Sequence, residues 1–367
     1  MKTNLVRAFL AAVVASAALA FAPLDGRAQV GPNVDISAFV DAYYQYGFNE
    51  VDPALRTFDM AHNAFSLALA EVALEKLATA NSRVGGRVDL NFGTTAEVVG
   101  AVEPGGGASD EVYTHIQQAY VSWLAGDNLT LDFGKFVTPI GAEVIESQDN
   151  WNYSRSILFG FAIPFYHTGL RATYVASDQL SLSGFVVNGW NNTFETNSDK
   201  TFAAQAILTP NDQLTWVGNV IVGKEDDFDT DGEQDILWLF DTTVSFAVSD
   251  MLSLMGNFDY GKASDFLATD EAGSWWGLAA YARYQARPDW AVAGRFEYID
   301  DSNADFMGIG MKAQSLTATS DHTVANDLIA RFEFRFDTTE NDFFVDDEGT
   351  PSQNQPGLTL GLVYNFN

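Results

Sequence analysis

Hydrophobic and polar residues alternate along most of this sequence with a period of two, which is typical of β-strands. The alternation is clearest in Leu252–Tyr260 and Leu328–Asp337, where every second residue is apolar. After the first residues, no apolar run reaches the roughly 18 residues that a membrane-spanning helix needs. The pattern therefore predicts an all-β fold built from many two-faced strands.

A short turn that contains aspartate recurs along the chain and organises the strands into hairpins. An apolar residue follows each of these turns and begins a strand. The intervals between the turns fit two strands of about ten residues, one tight turn and one longer loop. Alternation of short turns with long loops is the asymmetry of outer-membrane barrels. The aspartates of the repeat are Asp127, Asp178, Asp212, Asp250, Asp289 and Asp327.

We predict a transmembrane antiparallel β-barrel with short periplasmic turns and long outer loops. Aromatic residues at strand ends, such as Tyr44, Trp290 and Tyr364, are typical of the girdles where a barrel meets the membrane surface. About 16 strands are expected, a number that leaves a water-filled lumen. Segments 63–75 and 313–323 alternate least clearly, so 14 or 18 strands remain open. The predicted strands are 34–47, 63–75, 83–93, 115–124, 129–137, 167–176, 180–189, 200–209, 214–223, 236–248, 251–260, 274–286, 289–299, 313–323, 327–337 and 357–367.

The first 28 residues have the features of a secretory signal peptide. A basic start precedes an apolar stretch at 8–22, and Gly26 and Ala28 are small residues at the two positions that matter for cleavage. We expect cleavage after Ala28, although Ala20 and Ala22 also fit. The rest of the chain would then form one barrel domain in the outer membrane of a Gram-negative bacterium.

The charge and the residue content exclude several classes of function. The chain has 49 acidic and 19 basic residues and a net charge of −30, whereas nucleic-acid binding needs a basic surface. It has no cysteine, and so neither disulfides nor a thiolate metal site. The sequence predicts no enzyme and no cofactor, because no catalytic or metal-binding motif contains any of the four histidines, His62, His115, His167 and His322.

Residues 138–166 form the longest stretch between predicted strands, and a loop of this length is usually functional or disordered. Its many aromatic residues indicate that it packs against other parts of the protein. In a wide barrel the available place is the lumen, where the loop would narrow the pore or plug it. The alternative is a lid over the outer rim. The charged residues that we expect at the constriction are Glu143, Glu146, Asp149 and Arg155.

Further charged residues are expected on the polar, lumen-facing side of the strands. They are Arg83, Arg87, Asp89, Arg171, Arg283, Arg295, Glu297, Arg331, Glu333 and Arg335. If Glu143, Glu146 and Asp149 face Arg83, Arg87, Arg331 and Arg335, a transverse field would cross the narrowest section. Alternatively, the arginines pair with acids of the wall and only stabilise it. The overall excess of acidic residues predicts mild cation selectivity.

An acidic segment at 225–235 begins like a calcium-binding loop. Asp227, Asp229 and Asp231 have the spacing of the first ligands of an EF-hand, but the twelfth position is Trp238 instead of glutamate. We therefore expect a solvated outer loop, with weak Ca²⁺ or Mg²⁺ binding as the alternative and no other metal site.

Several segments resemble the outer-membrane β-barrel porins known as OmpL-like. They are Phe39–Tyr44, Gln118–Tyr120, Gly134–Glu143, Asn152–Ser156, His167–Gly169 and Val187–Trp190. The resemblance extends over nearly the whole chain after the signal, although its specific motifs lie in the first half. It implies a porin-like barrel but no particular solute. Such barrels commonly end in phenylalanine, whereas here Asn367 follows Phe366.

Together, these features predict a porin whose water-filled channel lets small hydrophilic solutes or ions diffuse passively across the outer-membrane lipid. One alternative is a plugged barrel with a structural or adhesive role. Another is an uptake channel specific for a solute such as a sugar, in which Trp151, Tyr153 and Trp190 would form a sliding surface. A homotrimer is expected only by analogy with porins.

Overall fold

The structure is a computed structural model, and it describes residues 28–29, 34–103, 111–225, 235–267, 271–303 and 306–366. The predicted signal peptide before Ala28 lies outside the described residues, and so do Asp227, Asp229, Asp231 and Asn367.

Sixteen long strands form one antiparallel barrel, and we number them β1 to β16 in chain order. Each strand pairs with its neighbours in sequence. Pairing of β16 with β1, in which Tyr364 lies opposite Val40, closes the barrel. The strands are β1 Asp35–Gly47, β2 Ala64–Lys76, β3 Val84–Phe92, β4 Ile116–Leu124, β5 Leu129–Val137, β6 Tyr166–Val175, β7 Leu180–Val187, β8 Thr201–Asn211, β9 Leu214–Glu225, β10 Asp235–Ala247, β11 Leu252–Leu267, β12 Glu271–Arg287, β13 Trp290–Asp300, β14 Lys312–Ala325, β15 Leu328–Thr339 and β16 Asn354–Phe366.

Short elements complete the chain. The two-residue strand Ala28–Gln29 pairs antiparallel with the start of β1, and Phe344–Val345 and Pro351–Ser352 form a small hairpin in the last loop. Helices α1 (Thr94–Ala101) and α2 (Glu111–Thr114) lie between β3 and β4. Among the described residues, no helix is both long and apolar enough to cross a membrane.

The two ends of the barrel differ, as the sequence predicts. Every aspartate of the repeat lies in a short turn, for example Asp178 between β6 and β7 and Asp289 between β12 and β13. The longer connections all lie at the opposite end. Two of them matter below, and we call them L1 (48–63) and L3 (138–165).

Strand β15 shows why the alternating pattern produces this fold. Phe332 and Phe334 point outward and are 54% and 41% exposed, whereas Arg331, Glu333 and Arg335 point inward and are at most 2% exposed. A shift of one residue would turn these charges toward lipid, at a cost of about 2–4 kcal/mol for an arginine at the middle of the bilayer. The membrane therefore fixes the register.

The two strands with weak alternation are complete members of the barrel, and each has a physical reason for its pattern. In β2, Ala68 is inserted as a bulge between Leu67 and Leu69, so the pattern changes phase there. In β14, the outward positions include Gln314 and Ser320 beside apolar residues, which weakens the contrast between the two faces. The prediction of sixteen strands is confirmed.

Candidate functional site

Loop L3 lies inside the barrel against its inner wall. Ile157, Leu158 and Ala162 of this loop are 0% exposed. They belong to one apolar cluster with inward residues of the strands, including Leu239 of β10 and Trp275 of β12. One turn of π-helix, Leu158–Ala162, contains part of this contact. L3 therefore fills part of the lumen instead of covering the outer rim.

Arginines of β13 and β15 hold the carbonyl groups of L3. Arg295 donates to the Ser154 carbonyl at 2.6 Å and to the Arg155 carbonyl at 3.1 Å. Arg335 donates to the same Arg155 carbonyl at 2.7 Å. In addition, Arg331 donates to the Asn150 carbonyl at 2.9 Å and to the carbonyl of Ser147. The planar guanidinium, with its five donors, suits this task because one side chain can serve several acceptors.

Acids of the same strands hold the N–H groups of L3. The Glu333 carboxylate accepts the backbone N–H of Tyr153 at 2.6 Å and that of Ser154 at 3.0 Å. Glu297 accepts the N–H of Ile157 at 2.6 Å. Buried peptide groups need partners, and a loop without a neighbouring strand must find them elsewhere. The wall supplies these partners as charge-assisted hydrogen bonds.

The wall charges also form ion pairs with one another. Arg295 pairs with Glu297 at 2.9 Å, and Arg335 pairs with Asp337 at 2.7 Å. Arg331 pairs with Asp321 at 2.9 Å. These pairs are almost completely shielded from water, so each charge has a partner where an isolated charge would be costly.

The predicted acids of L3 contact partners other than those expected. Glu143 pairs with Arg295 at 2.8 Å and accepts the Ser156 N–H at 2.6 Å, and so it does not face the four arginines named above. Glu146 accepts a hydrogen bond from Gln117 of β4. Asp149 lies within electrostatic range of Arg331 and Arg87. The sequence could not assign these partners, because it does not show how the loop turns inside the barrel.

Asp149 is a titratable group of the loop with a shifted pKa. Burial, together with the neighbouring Glu146, raises its pKa to about 6, although Arg331, Arg87 and Arg155 oppose the shift. A carboxyl group in this position exchanges its proton near pH 6.

Arg155 is buried within L3 and does not face water. Its Nε donates to the Val144 carbonyl at 3.0 Å, and its terminal nitrogens donate to the carbonyls of Tyr153 and Ile145. The guanidinium lies 5.1 Å from the ring of Phe58 in L1. Burial lowers the pKa of Arg155. The residue therefore fixes the shape of the loop, and this differs from the predicted electrostatic role in a constriction.

Arg83 is also placed differently from the prediction. It precedes β3 in the turn 77–83, is exposed, and donates to the Leu124 carbonyl at 2.8 Å. Although Arg83 and Arg87 have the same parity along the chain, the strand begins only after Arg83. Its side chain therefore lies at the turn end of the barrel and not opposite L3.

Three other predicted arginines line a part of the lumen that water reaches. The side chains of Arg87, Arg171 and Arg283 are 19–23% exposed and lie toward the turn ends of β3, β6 and β12. Their partners are Asp89 at 2.9 Å, Asp132 at 2.8 Å and Asp321 at 3.0 Å, in the same order. The turn end of the lumen is thus a vestibule lined by ion pairs.

Loop L1 is part of the same internal assembly, although no feature of its sequence was assigned to the lumen. Phe58 of L1 packs on Phe159 and Phe165 of L3, with ring centroids about 6 Å apart. Arg335 donates to the Leu55 carbonyl at 3.0 Å and so joins both loops to β15. The apolar residues Leu55 and Phe58, in a loop that would otherwise be polar, are the signal that could have revealed this packing.

The aromatic residues proposed as a sliding surface do not form one. Tyr153 is 3% exposed, and its hydroxyl donates to Asp41 of β1 at 2.9 Å. Trp190 packs edge-on against Phe306 at 5.8 Å, and Trp151 packs in the same way against Tyr281 of β12. Tyr153 and Trp190 are buried and Trp151 is partly exposed, so the three rings do not form a continuous exposed surface.

These features define a class of protein. A closed barrel of sixteen strands, with short turns at one end, long loops at the other and a loop folded into the lumen, has the architecture of a porin. The family described as "Putative beta-barrel porin-2, OmpL-like" matches residues 33–366, and the chain belongs to this family. This membership places the protein in the outer membrane. A search of curated protein sequences returned no match.

Solved structures with the same fold include porins and an outer-membrane channel. The outer membrane channel DcaP of Acinetobacter baumannii is similar with a TM-score of 0.62 at 14% identity, covering 93% of this chain and 99% of that one. An anion-selective porin from Comamonas acidovorans has a TM-score of 0.61 at 10% identity, covering 91% and 99%. OmpT of Vibrio cholerae in its trimer form has a TM-score of 0.60 at 10% identity, covering 90% and 98%. Identities this low show a shared fold.

Proposed function

We propose that the protein is a channel for passive diffusion of small hydrophilic solutes or ions, in which residues 138–166 form the constriction. The observation that carries the proposal is the attachment of L3 across the lumen to β13 and β15 through Arg295, Arg331 and Arg335. Membership in a porin family supports the channel itself.

The distribution of exposed charge supports a path with two sections. Water reaches the ion pairs of Arg87, Arg171 and Arg283 at the turn end, whereas the charges behind L3 are shielded. A solute that enters the vestibule would therefore meet L3 as the narrowest part of its route.

A plugged barrel is the second candidate, because the contact between L3 and the wall is so complete. Arg295, Glu297 and Arg335 are at most 1% exposed, and an apolar cluster joins L1, L3 and several strands. If this assembly closes the lumen permanently, the outer loops would carry the function.

The sign of the ion selectivity stays a prediction. The excess of acids in the whole chain favours cations, but selectivity depends on the charges that line the path. In the vestibule, each of the partly exposed arginines Arg87, Arg171 and Arg283 has an acidic partner. The same fold also occurs in a protein described as an anion-selective porin. Reversal potentials in a salt gradient would measure the preference directly.

A homotrimer is also part of the proposal. The support is that one protein of the same fold has been solved in a trimer form. Cross-linking of the protein in native membranes would count the subunits.

Single-channel conductance in a planar bilayer tests the constriction. We expect stable open steps for the unmodified protein. Glu143→Gln should give larger or noisier steps, because it removes the carboxylate that joins L3 to Arg295 and to the Ser156 N–H. Glu348→Gln in the exposed part of the last loop is the matched control and should leave the steps unchanged. A folded, inserted protein that never conducts would overturn the channel.

Single cysteines distinguish a narrowed lumen from a sealed one, and the natural chain has none to interfere. Arg171→Cys probes the vestibule, and Thr317→Cys probes the shielded wall beside Arg295. A small charged thiol reagent added only at the loop end of the protein in vesicles should label residue 171 through the lumen if L3 leaves a path, and should label residue 317 slowly or not at all. Labelling of residue 171 from the turn end but never from the loop end would favour the plug.

A further inference from the structure

Two acidic residues of the inner wall face each other without a basic partner. Asp241 of β10 lies directly opposite Asp259 of β11, and both are 0% exposed to solvent. Among the described residues, neither carboxylate forms an ion pair with a base, whereas Asp89, Glu297 and Asp337 each pair with an arginine. Like charges that lie directly opposite each other destabilise a sheet. The pair therefore needs a compensating positive charge.

Side-chain amides of two asparagines contact this pair. Nδ2 of Asn257, on the same face of β11, donates to Asp241 at 2.7 Å and to Asp259 at 3.1 Å. The backbone carbonyl of Thr242 accepts from the same nitrogen at 3.3 Å. Nδ2 of Asn219 on β9 donates to the other oxygen of Asp241 at 2.6 Å. Oxygen atoms of three residues thus converge on one point, which the Asn257 nitrogen occupies.

Other oxygen atoms of this cluster are buried and accept no hydrogen bond. They are Oδ2 of Asp259, Oδ1 of Asn219 and Oγ1 of Thr243, and no described residue donates to them. Thr243 follows Asp241 on the inward face, lies opposite Asn257 and is 2% exposed, while Asn219 is 3% exposed. A buried polar atom without a partner is costly. These oxygens therefore indicate a ligand that carries positive charge.

A proton and a metal cation are the two kinds of positive charge that fit this space. The carboxyl groups of Asp241 and Asp259 are close enough to share a proton. One proton would satisfy only these two groups, and the oxygens of Asn219 and Thr243 would keep no partner. A Ca²⁺ ion takes about six to eight oxygen ligands, including carboxylates and asparagine carbonyls. It would also balance both carboxylate charges.

We propose that Asp241 and Asp259 bind one Ca²⁺ ion in the wall of the barrel, with Asn219 and Asn257 as further ligands. Half a turn of the Asn257 amide would bring its oxygen to the place that its nitrogen occupies. In the part of the chain that the structure describes, no three acidic or histidine side chains form a metal site, so the amide oxygens complete this one. The inference does not depend on whether L3 narrows or plugs the lumen.

Loop L3 covers the proposed site. The backbone N–H of Gly141, near the start of L3, donates to Asp241. Leu158 of the same loop packs against Gly277, which lies opposite Asp259 on β12. An ion held beneath L3 would exchange slowly with the solvent, whereas an ion on an exposed acidic loop would be removed at once.

This difference in exchange provides the test. The full mature chain is refolded in detergent with Ca²⁺ and passed over a chelating resin, and the calcium that remains is measured by elemental mass spectrometry. We expect about one retained Ca²⁺ per chain. Retention should be lost in Asp259→Asn and in Asn257→Leu. Asp229→Asn, in the acidic segment 225–235, is the matched control and should retain the ion. Circular dichroism must show full β-structure in each variant.

Three results would overturn the proposal. One is an unmodified protein that retains no Ca²⁺; an infrared band of a protonated carboxyl group that disappears in Asp259→Asn would then identify a shared proton. Another is retention in Asp259→Asn at the unmodified level, which would place the ion elsewhere. The third is a loss in Asp229→Asn alone, which would assign the ion to the acidic segment 225–235.

Discussion

Replacing Arg335 by methionine should release L1 and L3 from the wall and leave the barrel closed. Arg335 is 1% exposed and donates to the carbonyls of Arg155 and Leu55, in L3 and L1, while it pairs with Asp337. Methionine fills a similar volume but offers no donor. The backbone ladder that joins β15 to its neighbours is unaffected, because it does not involve this side chain.

The size of the effect follows from the groups that lose their partner. Removing one member of a buried ion pair costs about 3–5 kcal/mol. Here the loss lies near the lower limit, because Asp337 keeps Arg56 at 3.7 Å and the Arg155 carbonyl keeps Arg295 at 3.1 Å. About 3 kcal/mol corresponds to an increase of about 100-fold in the population with released loops.

Limited proteolysis of the protein in lipid vesicles measures this population. In the Arg335→Met protein we expect cleavage within L1 and L3 about 100-fold faster than in the unmodified protein, together with larger and noisier conductance steps. Arg287→Met removes an exposed pair with Asp289 at the turn end and should change neither readout. Cleavage at the unmodified rate in Arg335→Met would refute the assigned role of Arg335.

Two further changes test the packing of L3. Burial raises the pKa of Asp149 to about 6 in the packed loop, above the value of 3.8 in the unfolded chain. Protonation of Asp149 therefore stabilises the packed loop as the pH falls below about 6, and ionisation destabilises it at higher pH. L3 should therefore resist protease better at about pH 5 than at pH 7.5, and Asp149→Asn should be resistant at both; an unchanged pH profile in this variant would contradict the assignment. Gly141 has a φ of 94°, and an added Cβ would lie 2.5 Å from Cδ1 of Ile163. We expect Gly141→Ala to destabilise the packed loop by about 1–2 kcal/mol and to speed its proteolysis. Gly184→Ala is the control and should have no effect, because open space surrounds the added carbon. Equal rates of proteolysis in the two variants would refute this account.

The strands could be predicted because the information that defines them is local. In Leu328–Thr339, alternate residues face lipid and lumen, and the same rule holds for each strand of the barrel. The rule becomes weak where its physical basis is interrupted, as at the Ala68 bulge. Turn positions were also predictable, because aspartates such as Asp250 precede the first apolar residue of a strand.

The contacts of the inner wall could not be predicted in the same way. The alternation of polar and apolar residues showed that Arg295 and Arg335 point inward. The carbonyls that accept their hydrogen bonds belong to residues 154 and 155, about 140 to 180 positions away in the sequence. A backbone carbonyl has no signature in the sequence. The same limit explains L1, whose Phe58 finds its partners a hundred residues later in L3.

The pairing of β16 with β1 has a consequence for how the chain acquires its structure. Neither the first nor the last strand has all its hydrogen-bond partners until the other arrives, so a chain that stops after β15 has two open strand edges. Open edges join other chains, and they cannot be left unpaired in hydrocarbon. Closure also requires the ends of the sequence to meet, which is the slowest kind of contact to form. Pairing of the last strand therefore completes assembly, and the cell must keep the first fifteen strands from aggregating until β16 pairs with β1.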